Sequence, residues 1–312
     1  MYVPYLYGRQ EELRALADLA PGLAQHGRVI PMIEPTENRS LLHSKIAESR
    51  GVGAEMMIVA NPTRGDLANP AAAAAVLTSL APDLADAAHV RPVFRESPGQ
   101  GVPELAVFLT QYPNRPVGIV LTSNAIAPAA LATVLASSDY LVFFAPEMDP
   151  APYNASIPAG RSIVISNNFP GRTRNIDYTA TLDEYFSDEL IAWRGAGWAG
   201  FSDFTVLPPE SFASSGGPAL ALAIHLSYMD GQQMRVRHFV SGAGARGQNA
   251  PKWAVVLPDL QAVVSTNPTM FEDTAGLRAF LGQAGGAYTS PGTSKRQQIG
   301  HHVESVAANM TP

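Results

Sequence analysis

Two carboxylates and a histidine, Glu34, Asp203 and His225, carry the chemistry most open to use in this sequence. The two carboxylates could share general acid and base work or act as hard oxygen ligands for a divalent cation such as Mg, with His225 as a further ligand or a general base. Each belongs to a short aliphatic run or its polar end. Val29 to Glu34 ends on Glu34, Met56 to Ala60 is followed by Asn61, and Val90 to Arg95 ends on Arg95 with Glu96 next. Thr122, Ser123 and Asn124 follow Val117 to Leu121, Glu147 trails Tyr140 to Phe144, and Asn167 and Asn168 close Ser162 to Ser166. Asp203 lies in Phe201 to Val206, and His225 with Tyr228 lies near the end of Leu220 to Leu226. The competing reading is structural, because a carboxylate at a strand end also caps the next helix or pairs with Arg95.

Three loops have the composition of anion cradles. Ser214 to Gly217 and Ser241 to Gly247 are glycine-rich, and the second brings Gly242, Gly244 and Arg246 together. Asn168 to Arg174 (NFPGRTR) sets Arg172 and Arg174 around a glycine turn beside Asn168. Flexible surface loops are the alternative for all three. Gly242, Gly244 and Gly247 have the bare spacing of a dinucleotide fingerprint, but no following strand and no correctly placed acidic residue support it. His301 and Glu304 share a helical face without the second histidine of a zinc hydrolase, and His26, His43 and His89 read as surface or packing residues. There is no nucleophile elbow, Walker loop or aromatic-basic RNA-binding signature.

The elements that must position these groups alternate. Each aliphatic run is followed by a Pro, Asn, Ser or Gly cluster and then by a helical pattern, with Asn69 or Ser40 placed to cap. Eight such runs, apolar on both faces, fit an α/β fold of the (β/α)8 TIM-barrel type. An open doubly wound sheet has the same local signature and is the alternative. Ser227 to Ser241 reads as a β-hairpin turning at Asp230-Gly231, an antiparallel extension of the last strand that also carries His238. The expected division is a barrel with its hairpin over 1–248 and a helical appendage over 249–312, packed on the same domain and interrupted by Pro258, Pro268 and Pro291.

Composition bounds the rest. In 312 residues, 46% are hydrophobic and 15% charged, too apolar and too weakly charged for disorder. The absence of cysteine removes disulfides, thiolate metal sites and cysteine nucleophiles together. A net charge of -6 argues against a nonspecific grip on nucleic acid, which needs a basic surface, while a small anionic ligand remains compatible with a local basic cleft. Met1 to Leu16 contains no basic stretch followed by an apolar run, and no segment approaches twenty uninterrupted apolar residues. The expectation is a cytoplasmic protein with no membrane contact.

The opening Tyr2-Val3-Pro4-Tyr5-Leu6-Tyr7-Gly8-Arg9-Gln10-Glu11-Glu12-Leu13, followed by Ile30-Pro31-Met32-Ile33-Glu34-Pro35, resembles the phage and bacterial "beta protein" family, closest to a bacterial branch without an established activity. The blocks at Gly200 to Thr205, Ala223 to Tyr228 and His238 to Ser241 are similar to that branch as well, so the resemblance runs from Tyr2 to about Ser241. It implies a barrel-like fold and a setting among mobile elements or phage defence, sometimes beside a nuclease-like protein partner. It carries over no catalytic mechanism. Arg9 and Glu12 match the family's opening block, whereas Tyr7 stands where the family has Lys, and Arg9 is a candidate to hold the N-terminal segment across the barrel or to bind ligand.

Overall fold

The structure is a computed structural model and describes residues 1–146, 148–207, 219–283 and 288–310. Its contacts divide it into two compact units, Met1–Asn167 with Ile191–Asp203, and Asn168–Leu190 with Phe204–Pro312.

The first unit is a closed barrel of eight parallel strands. In chain order these are β1 (Tyr2–Leu6), β2 (Met32–Ile33), β3 (Met56–Val59), β4 (Val90–Arg95), β5 (Val117–Leu121), β6 (Tyr140–Phe144) and β7 (Ser162–Ser166); β8 (Asp183–Ser187) belongs to the second unit, and β9 (Gly200–Asp203) completes the ring. β1 pairs with both β2 and β9, which closes the sheet and rules out the open alternative. The strands are apolar throughout because both faces are buried: every residue of β1, β3 and β5 is inaccessible to solvent. Helices α1 (Gln10–His26), α2 (Ser40–Gly51), α3 (Pro70–Leu84), α4 (Val102–Gln111) and α5 (Pro128–Leu135) follow successive strands. Asn69 caps α3 by accepting the amides of Ala71 and Ala72, with Pro70 in the first turn. Ser40 instead lies inside α2, whose cap position is Arg39.

The strand number agrees with the sequence pattern, but the membership differs. Tyr2–Leu6 is a barrel strand, and the run at Leu220 to Leu226 is not. That run enters β10 (Ala223–Asp230), which pairs antiparallel with β11 (Gln233–Val240), and β11 pairs with β8. The hairpin is therefore present, with a two-residue turn at Gly231-Gln232 where Gly231 takes φ +61°, a backbone state that favours glycine. It extends no barrel strand. β11 is the central strand of a separate three-stranded sheet, and on the β10 edge the amide of His225 donates to Gln298 Oε1.

The expected boundary at 248/249 is corrected accordingly, because the hairpin packs with the helices after it. Leu222, Ile224, Leu226 and Phe239 form one apolar cluster with Trp253, Val256, Leu257 and Leu260 of α7 (Asn249–Thr266) and with residues of α8 (Ala275–Leu281). The other sheet face meets α9 (Pro291–Asn309), where buried His301 lies between Thr274 Oγ1 at 2.7 Å and the carbonyl of Ser227 at 2.8 Å. Glu304 accepts the amide of Ala275, so the His301–Glu304 pair serves packing and capping. Among the described residues no helix is long and apolar enough to cross a membrane.

Candidate functional site

Register decides which strand-end groups share the barrel interior. In parallel strands, residues paired side by side point to the same face and successive residues alternate. Tyr5 pairs with Met32, and Met32 with Met57, so Tyr5, Tyr7, Glu34 and Asn61 fall on one face. Val59 pairs with Val93, which brings Arg95 to that face too.

These residues form a connected polar cluster at the C-terminal mouth of the barrel, where the loops after the strands gather. The Glu34 carboxylate is fully buried; its Oε2 accepts from Tyr5 Oη at 2.7 Å, and its amide donates to Leu6. Two guanidinium groups flank it: Arg64 Nε lies 3.5 Å from Oε2 and Arg95 Nε lies 3.5 Å from Oε1. Arg64 and Arg9 both lie over the Tyr7 ring at 5.4 Å from its centroid. Burial, and then the negative charge of Glu34, push the Tyr5 hydroxyl well above its ordinary pKa, so Tyr5 stays a donor to Glu34. The loop that delivers Arg64 turns at Gly65, with φ +59°; a Cβ there would lie 2.7 Å from the carbonyl oxygen of Thr36.

Arg95 is set by its neighbours. Asn61 Oδ1 accepts the Arg95 amide, and Asn61 Nδ2 donates to the Arg95 carbonyl and to Gln100 Oε1, each at 2.7 Å. Asn61, expected to bind ligand, is a bracket for the end of β4. Arg95 Nη1 also reaches the Glu96 carbonyl and Ser97 Oγ at 3.3 Å. The Glu96 carboxylate accepts the amides of Thr122 and Ser123 and the Ser123 hydroxyl, which ties the loops after β4 and β5 together.

Other expected members do not join. Asp203 pairs with Pro4, not with Tyr5, so it points to the opposite face of the barrel wall from Glu34 and takes the Tyr2 hydroxyl at 2.7 Å. Glu34 and Asp203, on opposite faces of the barrel wall, do not share a site, and His225 lies on β10 of the second unit. Among the described residues no three His, Asp or Glu side chains converge as a metal site. In the second unit Asn168 donates to Glu189, Arg172 pairs with both oxygens of Glu184, Arg174 pairs with Asp177, and Tyr228 donates to Asp183. The arginines of the NFPGRTR loop are thus already neutralised by carboxylates. Gly242 and Gly244 lie in a loop before α7 whose Arg246 is exposed, with the Gly244 amide on the carbonyl of Leu220. Glu147 and Ser214 to Gly217 lie outside the described residues.

Comparison with protein-family models, curated proteins and solved structures finds no match. The site therefore rests on its own geometry. Sequence reasoning missed Tyr5, Tyr7 and Arg64 there. The alternation of aromatic residues in Tyr5-Leu6-Tyr7 was the available signal; Arg64 had none, since its approach to Glu34 depends on the turn at Gly65. His238, expected beside a barrel ligand, instead contacts His225 Nδ1 through its own Nδ1 at 2.7 Å and Glu184 through Nε2 at 3.1 Å.

Proposed function

We propose that the barrel mouth binds a small anionic hydroxy compound, such as a phosphorylated polyol or nucleotide-type molecule. The observation that carries this is Glu34 Oε1: a buried carboxylate oxygen that receives no hydrogen bond from the described residues and has only the Arg95 guanidinium beside it, at 3.5 Å. Buried carboxylate oxygens are costly to leave without donors, and a ligand hydroxyl would supply one. Arg64, with 37% of its side chain exposed, supplies the accessible cation for the anionic group, while Arg95, at 11%, stays with Glu34.

A second reading is hydrolysis of a phosphoester, with Glu34 taking a proton from the attacking hydroxyl or water. Its support is the same open oxygen at the face where barrel enzymes hold their reactive groups, which is a fold-level analogy. Resemblance of the opening block to the beta protein family supports a phage-defence or mobile-element setting and a nuclease-like partner, to be tested by co-purification.

Thermal unfolding with glycerol 3-phosphate, glycerol and inorganic phosphate at equal concentration tests the binding reading. Only the compound with both groups is expected to raise Tm, by the mass-action stabilisation of a specific ligand, and Glu34→Gln and Arg64→Met are each expected to remove the effect. Equal stabilisation by inorganic phosphate in all three proteins contradicts the proposal.

A further inference from the structure

The C-terminal unit holds a cavity of its own, lined by residues of that unit alone. Its volume is about 170 Å³. Sites for drug-sized ligands run to roughly 300–1,000 Å³, so this one suits a single planar ring system. Phe169, Tyr178, Trp253 and Tyr288 give it aromatic faces beside the aliphatic Val206, Leu207 and Leu222, and His225 and Lys295 are on its lining.

Hydrogen bonding fixes what His225 offers to that space. His225 and His238 are directly opposite in the β10–β11 register. A carboxylate only accepts, so the His238 Nε2 at 3.1 Å from Glu184 Oε1 carries the proton, and the Nδ1 of a neutral His238 is an acceptor. The His225 Nδ1 at 2.7 Å must then donate. A neutral His225 is left with its lone pair on Nε2. Burial pushes both rings below the ordinary histidine pKa, His238 to about 4, which keeps the pair uncharged at neutral pH. Arg172, bound to both oxygens of Glu184, holds the far end of the chain in place.

Two complementary atoms of lining residues are consequently left without a hydrogen-bond partner. Among the described residues Nε2 of His225, a half-buried residue, meets no donor, and Nε1–H of Trp253, 2% exposed, is buried without an acceptor. We propose that this cavity is a second binding site, for a planar nitrogen heterocycle of nucleobase type that gives an N–H to His225 Nε2, accepts from Trp253 Nε1 and stacks on the aromatic wall. An aliphatic ligand would forgo stacking on the aromatic faces, and a carboxylate would present only acceptors to the His225 lone pair. The site is built from residues of the second unit alone and does not depend on the reading of Glu34.

The test is a titration of the ¹⁵N-labelled full chain with adenine, cytosine and uracil, each followed at the indole N–H resonances. The chain has three tryptophans, and Trp253→Phe assigns the relevant peak by removing it. The Trp253 peak is expected to move and saturate with at least one base, His225→Phe to weaken that binding tenfold or more, and indole, which has a donor but no ring acceptor, to bind at least tenfold more weakly. Should His225→Phe not fold, the ¹⁵N shift of His225 Nε2 in the wild-type chain takes its place, with movement out of the unprotonated range's free position expected on binding. An unmoved Trp253 peak with all three bases at millimolar concentration overturns the proposal. So does unchanged affinity in His225→Phe, an unmoved Nε2 signal, or indole binding as tightly as the bases.

Discussion

Replacing Glu34 by Gln isolates the charge at the barrel mouth. The amide is nearly isosteric, and its carbonyl can still accept from Tyr5, so packing and the 2.7 Å hydrogen bond survive. What disappears is the counter-charge of Arg95, whose side chain is 11% exposed, and of the more accessible Arg64. Breaking a buried pair by removing one partner costs about 3–5 kcal/mol because the other charge stays buried. Three features reduce that figure here. The nitrogen–oxygen separations are 3.5 Å, longer than a charge-assisted hydrogen bond; Arg95 keeps the Glu96 carbonyl and Ser97 hydroxyl; and solvent screens Arg64. The expected loss is about 2 kcal/mol. Because the chain has two units, a single global unfolding curve mixes their stabilities. Native-state hydrogen exchange at amides of β1 and β2, including the Glu34 amide bonded to Leu6, reads the barrel alone. A companion Arg95→Met exchange in the Glu34→Gln background is expected to recover much of the loss, since the more buried of the two cations is then gone and Arg64 is screened by solvent. A barrel that is unchanged or stabilised by Glu34→Gln would refute the reasoning, because Glu34 would then cost more in desolvation than its cations return.

Asn61→Ala removes all three hydrogen bonds of the bracket and leaves the Arg95 amide without its side-chain acceptor; about 2 kcal/mol of barrel stability is expected to go, measured by the same exchange experiment. Acid should loosen the C-terminal unit. His301 is fully buried, and burial lowers its pKa from 6.5 to about 4, so on acidification the unfolded chain takes up the proton first. Its contribution is complete above pH 6.5 and is lost as pH falls toward 4, a span worth about 3 kcal/mol. Exchange at amides of α9 as a function of pH should show that slope, and His301→Gln should flatten it; an equal slope in the variant would assign the acid sensitivity elsewhere.

The barrel was legible because parallel strands buried on both faces read as plain apolar runs, and β3 and β5 are such runs. β1 was hidden by its composition: Tyr2-Val3-Pro4-Tyr5-Leu6 looks like a terminal segment until its pairing with β2 and β9 is known. β10 misled for the opposite reason. Ile224 and Leu226 pack toward α7, while α9 covers the other face, so an antiparallel strand acquired the burial of a barrel strand. Glu34 and Arg95 were legible as strand-end groups. Asp203 looked equivalent, but one residue of parity separates the interior from the outer face, and parity is a property of register that a single strand does not carry. The Glu184–His238–His225 chain joins positions far apart in sequence through two strand pairings, and no local pattern announces it.

The open atoms at the two sites bear on whether either is merely structural. A carboxylate buried only to hold a barrel together would be expected to fill both oxygens with donors, as Glu96 does with two amides and a hydroxyl. Glu34 stands next in the same mouth, with serine and threonine hydroxyls in the adjoining loops, and still has one oxygen without a donor. Likewise His301 has a partner on each ring nitrogen, whereas among the described residues His225 has one on Nδ1 alone. Within each unit, then, a residue of the same type shows how the fold satisfies such a group when structure is the only demand. The two that depart from that pattern are the ones whose neighbours leave an atom without a hydrogen-bond partner among the described residues, which is the need a ligand group meets and a settled core avoids.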